Sequence, residues 1–175
     1  MIEDHRKVST TNPAAAAGGE GGGSGNNRGK MVIAWAGSLV YDRQANQIVF
    51  DHNVQSAFQQ DAKDVLPMTL TCDRLTADLK TAAATATTSE KTTLKHARAE
   101  GAVNFNTLGP KGYHFTAHTV DYDPTTFRMT ARGTAEQPGT FEEADGTTGA
   151  FEELIYNVQA QQVEHITRAQ ADVRH

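Results

Sequence analysis

The chain has 175 residues, a formal net charge of −5, a sequence pI near 5.8 and a single cysteine. That length gives room for one domain with a modest core. An acidic balance with no basic run longer than Arg6-Lys7 excludes a general nucleic-acid binder and an anionic-membrane patch, because both need clustered cations.

In chain order, Met1 to Asn12 is polar and has no apolar core of the kind a signal peptide carries. Ala14 to Asn27 reads AAAAGGEGGGSGNN and cannot bury apolar surface, so residues 1–30 are expected to be a disordered, Gly/Ala-rich tether. A tether implies something tethered: either Met1 is not the biological start, or the chain is the last module of a longer polypeptide. No later stretch reaches the roughly 18 apolar residues of a membrane-spanning helix.

Residues 31–175 are built on a repeated phrase, and self-similarity means one structural unit used several times. The phrase reads AGSLVYD from Ala36 to Asp42, AHTVDYD from Ala117 to Asp123 and FEELIYN from Phe151 to Asn157. A degenerate copy, CDRLTAD from Cys72 to Asp78, carries Ala77 where the others carry Tyr. Further on, after the first three phrases in chain order, stand DHNV (Asp51–Val54), EGAV (Glu100–Val103) and RGTA (Arg132–Ala135), each ending an alternating run such as QIVFD, TLKHARAE or TFRMTAR. Period-two alternation predicts half-buried strands, so the unit is strand, turn, strand. The turns are punctuated by Asp42-Arg-Gln-Ala-Asn46 and Asp123-Pro-Thr-Thr126. Gly101 and Gly133 stand where a strand bends or bulges, and a parity change inside each phrase predicts a corner near its start. Thr81 to Thr93 and Gln137 to Gly149 read as loop insertions, over about residues 81–93 and 137–149. No continuous helix is expected; Val158 to Arg174 lacks a clean apolar stripe.

Motifs of chemistry are weak. His114 and His118 lie four apart in a strand pattern, so they share a face but stand apart along it. His96 and His165 fall in other repeats, and no HExxH or CxxC accompanies them, so no metal site is expected. The Asp or Asn after each phrase (Asp42, Asp78, Asp123, Asn157) reads as a turn-initiating side chain and not as an acid/base pair. Cys72 reads as a small buried apolar residue. With no nucleophile elbow, P-loop or dinucleotide fingerprint, neither an enzyme nor a cofactor is expected.

The phrases LVYDRQANQIVFDHNV, LTCDRLTADL…ARAEGAVNF and HFTAHTVDYDPTTFRMTARG resemble the OstA-like/LptA–LptC family of lipopolysaccharide-transport domains, over roughly Met31 to His175. Departures are His52 at a customary Gly, Ala77 at a customary Tyr and Thr167 at a customary Gly. The resemblance implies an all-β, open antiparallel β-jellyroll, or β-taco, of repeated hairpins whose two sheets face each other across an apolar slot. It implies a periplasmic, non-enzymatic module that shelters the acyl chains of a glycolipid of the lipopolysaccharide type. Its partners would be other OstA-like modules, joined through edge strands, and an inner-membrane transport complex. The alternative is a structural or assembly β-module of a larger envelope protein, with a closed core and no ligand. On the alternation, slot-lining candidates are Ile33, Trp35, Leu39, Tyr41, Ile48 and Phe50 in the first repeat and Leu70, Leu75, Leu79, Val103 and Phe105 in the second. The remainder are Phe115, Val120, Tyr122, Phe127 and Met129 in the third and Leu154 and Tyr156 in the last.

Overall fold

The computed structural model describes residues 6–11, 29–60, 67–82, 91–107 and 112–168. Its elements are strands: β1 (Arg6–Thr11), β2 (Gly29–Trp35), β3 (Leu39–Asp42), β4 (Gln47–Gln60), β5 (Met68–Ala82) and β6 (Lys91–Thr107). They continue as β7 (Tyr113–Asp123), β8 (Arg128–Arg132), β9 (Gly139–Glu143), β10 (Thr148–Asn157) and β11 (Gln162–Arg168). They form one antiparallel sheet in the order β1-β2-β4-β5-β6-β7-β8-β10-β11, with β3 paired on β4 and β9 between β7 and β10.

That sheet is folded along a single crease, and the crease lies at the start of each repeated phrase. The chain breaks between Trp35 and Leu39, and register shifts fall at Cys72–Asp73 in β5, opposite His118 in β7 and at Glu152 in β10. The returning strands break at the same line, at His52–Asn53 in β4, at Gly101–Ala102 in β6 and between β8 and β9. A two-against-one bulge both bends a strand and exchanges its faces. The parity change inside each phrase is therefore the crease itself. Backbone bonds cross it where pairing stops: Ala36 N donates to His52 O at 2.9 Å and Gly133 N to Glu152 O at 3.0 Å. Gly133 is required there, because a Cβ would run into the Pro138–Gly139 backbone.

The crease divides each long strand between two facing layers. Sheet I holds β3, β8, β11 and the crease-flanking halves 47–51, 74–82, 91–100, 119–123 and 153–157; sheet II holds the other halves with β1, β2 and β9. In sheet I, register aligns two apolar rows. Phe50, Leu75, Ala99, Val120, Ala131 and Leu154 lie nearest the crease, and Ile48, Ala77, Ala97, Tyr122, Met129 and Tyr156 lie next to them. Sheet II answers with Ile33, Ser56, Leu70, Phe105, Phe115 and Phe141. Side chains of this size contribute roughly 1.5–3 kcal/mol each when fully buried, so these rows are the core.

The hairpin turns repeat in detail. Asp42 Oδ1 accepts from the N–H groups of Gln44 (2.8 Å) and Ala45 (3.0 Å), and Asn157 Oδ1 from those of Gln159 (3.0 Å) and Ala160 (2.9 Å). Asp123 accepts from Thr125 N at 2.8 Å and Thr126 Oγ1 at 2.9 Å. Four residues on, Asn46, Phe127 and Gln161 each adopt positive φ, between 50° and 57°. Asp78 differs from its counterparts. The β5–β6 hairpin runs on to Ala82 and Lys91, so Asp78 is a mid-strand residue that accepts from Gln47 Nε2 at 2.8 Å.

Three expectations about organisation meet the structure here. Of the stretch 1–30, Arg6–Thr11 is described, as an edge strand paired with β2, while 1–5 and 12–28 lie outside the described residues. Thr81, Ala82 and Lys91–Thr93 extend the strands, and 83–90 lie outside the described residues, so the insertion lengthens a hairpin. Over 137–149, where a loop was expected, stands β9, because Phe141 supplies a core side chain and pairs with Phe115.

Candidate functional site

Between the sheets, where the second rung lies, packing is incomplete. A cavity of about 120 Å³ is lined by Ile33, Ser56, Phe58, Met68, Thr69, Leu70, Leu75, Ala77, Leu94, Ala97, Ala99, Phe105, Val120, Tyr122, Met129 and Val158. No ionisable carboxyl, amine or imidazole is among them, and Tyr122 has the one ionisable side chain. Burial pushes the Tyr122 phenol up to about 12, so it stays neutral at physiological pH. Crease-side lining residues are buried (Leu75 9%, Ala99 2%, Val120 2% exposed), whereas Leu94 and Phe58, farthest from the crease, are half-buried. Met68, which pairs with Phe58 at the same distance from the crease, is 4% exposed.

Aromatic pairs pack in the core beside the slot. On the first rung Trp35 meets Phe50 edge-on, with centroids 5.1 Å apart. On the later rungs Phe105 stacks on Phe115 at 4.6 Å, and Tyr156 packs against Phe105 (5.5 Å) and Tyr113 (5.7 Å). Tyr156 is fully buried; burial raises its pKa, the nearby Thr107 hydroxyl lowers it by less, and its Oη makes no hydrogen bond of ordinary geometry among the described residues. The neighbouring Thr107 hydroxyl is engaged with Tyr113, accepting from its N–H at 2.6 Å.

Of the eighteen candidates, Ile33, Leu70, Leu75, Phe105, Val120, Tyr122 and Met129 line this slot. Trp35, Phe50, Val103, Phe115, Leu154 and Tyr156 are buried around it, with Ile48 packed against them. Leu79 is half-buried in the extended hairpin, and Phe127 is half-buried in its turn at φ 57°. Leu39 and Tyr41 stand on edge strand β3, 41% and 48% exposed, with Val40 between them at 54%. Sequence reasoning passed over Phe58, Met68, Ala77, Leu94, Ala97, Ala99 and Val158. The Val54-Ser56-Phe58 alternation was available as a signal. The β6 residues were hidden because a bulge at Lys95 puts Leu94 on the same face as Ala97 and Ala99.

The outer face of sheet I is charged. Arg74 is paired with Asp51 at 2.7 Å, Arg98 with Glu100 (3.0 Å) and Asp121 (3.4 Å), and Arg132 with Asp121 and Glu153 (3.0 Å each). The hydrogen bond from Arg74 holds the Asp51 carboxyl below its usual value. Exposed pairs of this kind specify register more than they stabilise. His96 lies between Asp78 (3.5 Å) and Asp121 (3.3 Å), His114 meets Asn104, His165 meets Thr167, and His118 is exposed at the crease. The four histidines are not brought together. Among the described residues, no cluster of His, Cys, Asp or Glu is arranged to hold a metal ion.

Compared with known proteins, the chain matches no family model and no curated protein. Among solved structures it is similar to LptH from Pseudomonas aeruginosa, described as the LptA-homologous periplasmic component of the conserved lipopolysaccharide transport device. The TM-score is 0.56 at 15% identity, covering 82% of this chain and 85% of that one. The fold is accordingly the LptA-type β-jellyroll.

Proposed function

We propose that this protein is a non-enzymatic, periplasmic module that carries a glycolipid of the lipopolysaccharide type, with acyl chain sheltered between the sheets and headgroup outside. The observation that carries this reading is the uncharged slot between the two sheets, within an LptA-type fold. Each methylene moved from water into such a slot gains about 0.8 kcal/mol, so sheltering is favourable without any chemistry. Movement along a chain of modules is passive, and its direction comes from an energised partner, an inner-membrane transport complex. Edge strands supply the joints: β3 presents Leu39, Val40 and Tyr41 at one end of sheet I, and β11 ends the other.

The test is native mass spectrometry of the full chain, delipidated and then titrated with lipopolysaccharide. A saturable complex is expected, weakened at least tenfold when Leu75, deep in the slot, is changed to Glu in a protein that still melts cooperatively. Absence of any complex would move the chain to the closed-core structural reading. Val40→Lys is expected to reduce concentration-dependent self-association in sedimentation, leaving lipid uptake by the single module intact.

A further inference from the structure

We infer that the Ala77–Ala97 pair is the specificity determinant of the slot, and that it admits one acyl chain, not several side by side. This rests on the lipid-carrier reading above. Ala77 faces Ala97 across the β5–β6 ladder, and Ala97 in turn faces Tyr122 across β6–β7. In that inward row the neighbours are large: Ile48 on one side, Tyr122, Met129 and Tyr156 on the other. The repeat places Tyr at this position in its other copies, as Tyr41, Tyr122 and Tyr156. The second copy alone has a methyl group there, and its cross-strand partner is a methyl group too. The missing bulk of two side chains is where the slot lies, since both alanines line it.

Size limits the occupant. The slot measures about 120 Å³, below the roughly 150 Å³ of a cavity that admits a single benzene. Phe105, which packs against Tyr156, forms part of its wall. The end of one chain fits against the two alanines, the rest of that chain lying outside the enclosed volume; the ends of several chains side by side do not. A multi-acylated glycolipid would lodge the end of one chain and leave the rest outside.

The test uses the full chain with dodecanoic acid as single-chain probe and lipopolysaccharide as multi-chain probe, read by native mass spectrometry and by competition. One dodecanoate per protein is expected, displaced by lipopolysaccharide. Ala77→Tyr, which restores the residue of the other copies, is expected to weaken dodecanoate at least tenfold. Ala77→Val and Ala97→Val give smaller graded losses, and thermal melting identifies which variants are folded. Folded Ala77→Tyr and Ala97→Val proteins that bind dodecanoate like the parent would overturn the assignment, as would two or more dodecanoates lost together. Lipopolysaccharide binding without dodecanoate binding overturns this inference alone. Failure of the parent to bind either probe overturns the lipid-carrier reading itself.

Discussion

His52 in β4 and Gly101 in β6 hold nearly the same left-handed backbone, at φ 66° and 74°, and each is followed by a second left-handed residue, Asn53 at 47° and Ala102 at 43°. The two pairs sit at the same crease, in DHNV and EGAV. Glycine reaches this conformation at no steric cost, whereas another L-residue is strained by about 1–2 kcal/mol. Substituting His52→Gly should therefore stabilise the protein, by up to about 1 kcal/mol once the extra unfolded-state entropy of glycine is subtracted. The reverse change, Gly101→Ala, adds a Cβ that would overlap the Asp73 side chain and should cost about 2 kcal/mol or more. Urea denaturation of both variants checks the pair. Equal effects of the same sign would mean the crease is not where the backbone is strained.

Much of this was legible because the repeat carries its own geometry. Asp42, Asp123 and Asn157 announce turns, and the turns form with side-chain caps as the residue types require. The corner near each phrase start follows from parity alone. What escaped is what parity cannot carry past a second irregularity: the bulge at Lys95 re-aims β6, and Asp78 falls mid-strand because its hairpin is longer. Phe127 is a slot candidate on the alternation, yet it occupies the turn position filled by Asn46 and Gln161. The slot itself was illegible for a simple reason. It is marked by small residues, and alanine in an alternating run signals nothing until its neighbours are known to be large.

Tyr156 buries a hydroxyl that makes no hydrogen bond of ordinary geometry among the described residues. An unsatisfied buried polar group costs about 1–3 kcal/mol, so removing it while keeping the ring should help. Tyr156→Phe is expected to raise the melting temperature by about 2–4 °C per kcal/mol gained. Tyr156→Ala, which empties the aromatic cluster, should lose roughly 3–5 kcal/mol. A fall in melting temperature for Tyr156→Phe would place a hydrogen-bonding partner, such as a buried water, at Oη.

Cys72 lies on the crease, 4% exposed, and burial pushes its thiol up to about 12. Thiolate is the reactive form, so the native protein should resist a disulfide reagent at mildly alkaline pH and react fully once denatured in urea. The slow native rate then reports opening of the crease, and Gly101→Ala should accelerate it. Rapid labelling of the unmodified native protein would mean that this part of the crease is open on the timescale of the reagent.

Acid should destabilise the fold through its turns. Backbone and hydroxyl hydrogen bonds at Thr125 and Thr126 hold the Asp123 carboxyl below its usual value, and Thr147 does the same for Asp145. Arg74 lowers Asp51, while Asn157 and Arg128 lower Glu164. A carboxyl whose folded pKa lies below its unfolded value, near 4, adds stability above that value and loses it as the pH falls through the folded one. Stability should thus be nearly flat from about pH 5 to 8 as far as these groups are concerned, and drop below about pH 4. Asp123→Asn separates charge from capping, because Asn157 already performs the same cap without a charge. Its urea midpoint at neutral pH should stay close to that of the parent, and its loss of stability on acidification should be shallower. Added salt weakens the Arg74–Asp51 contribution by screening, but leaves the backbone-capped share at Asp123 largely in place. An acid limb identical in parent and Asp123→Asn would show that the cap acts as a hydrogen-bond acceptor alone.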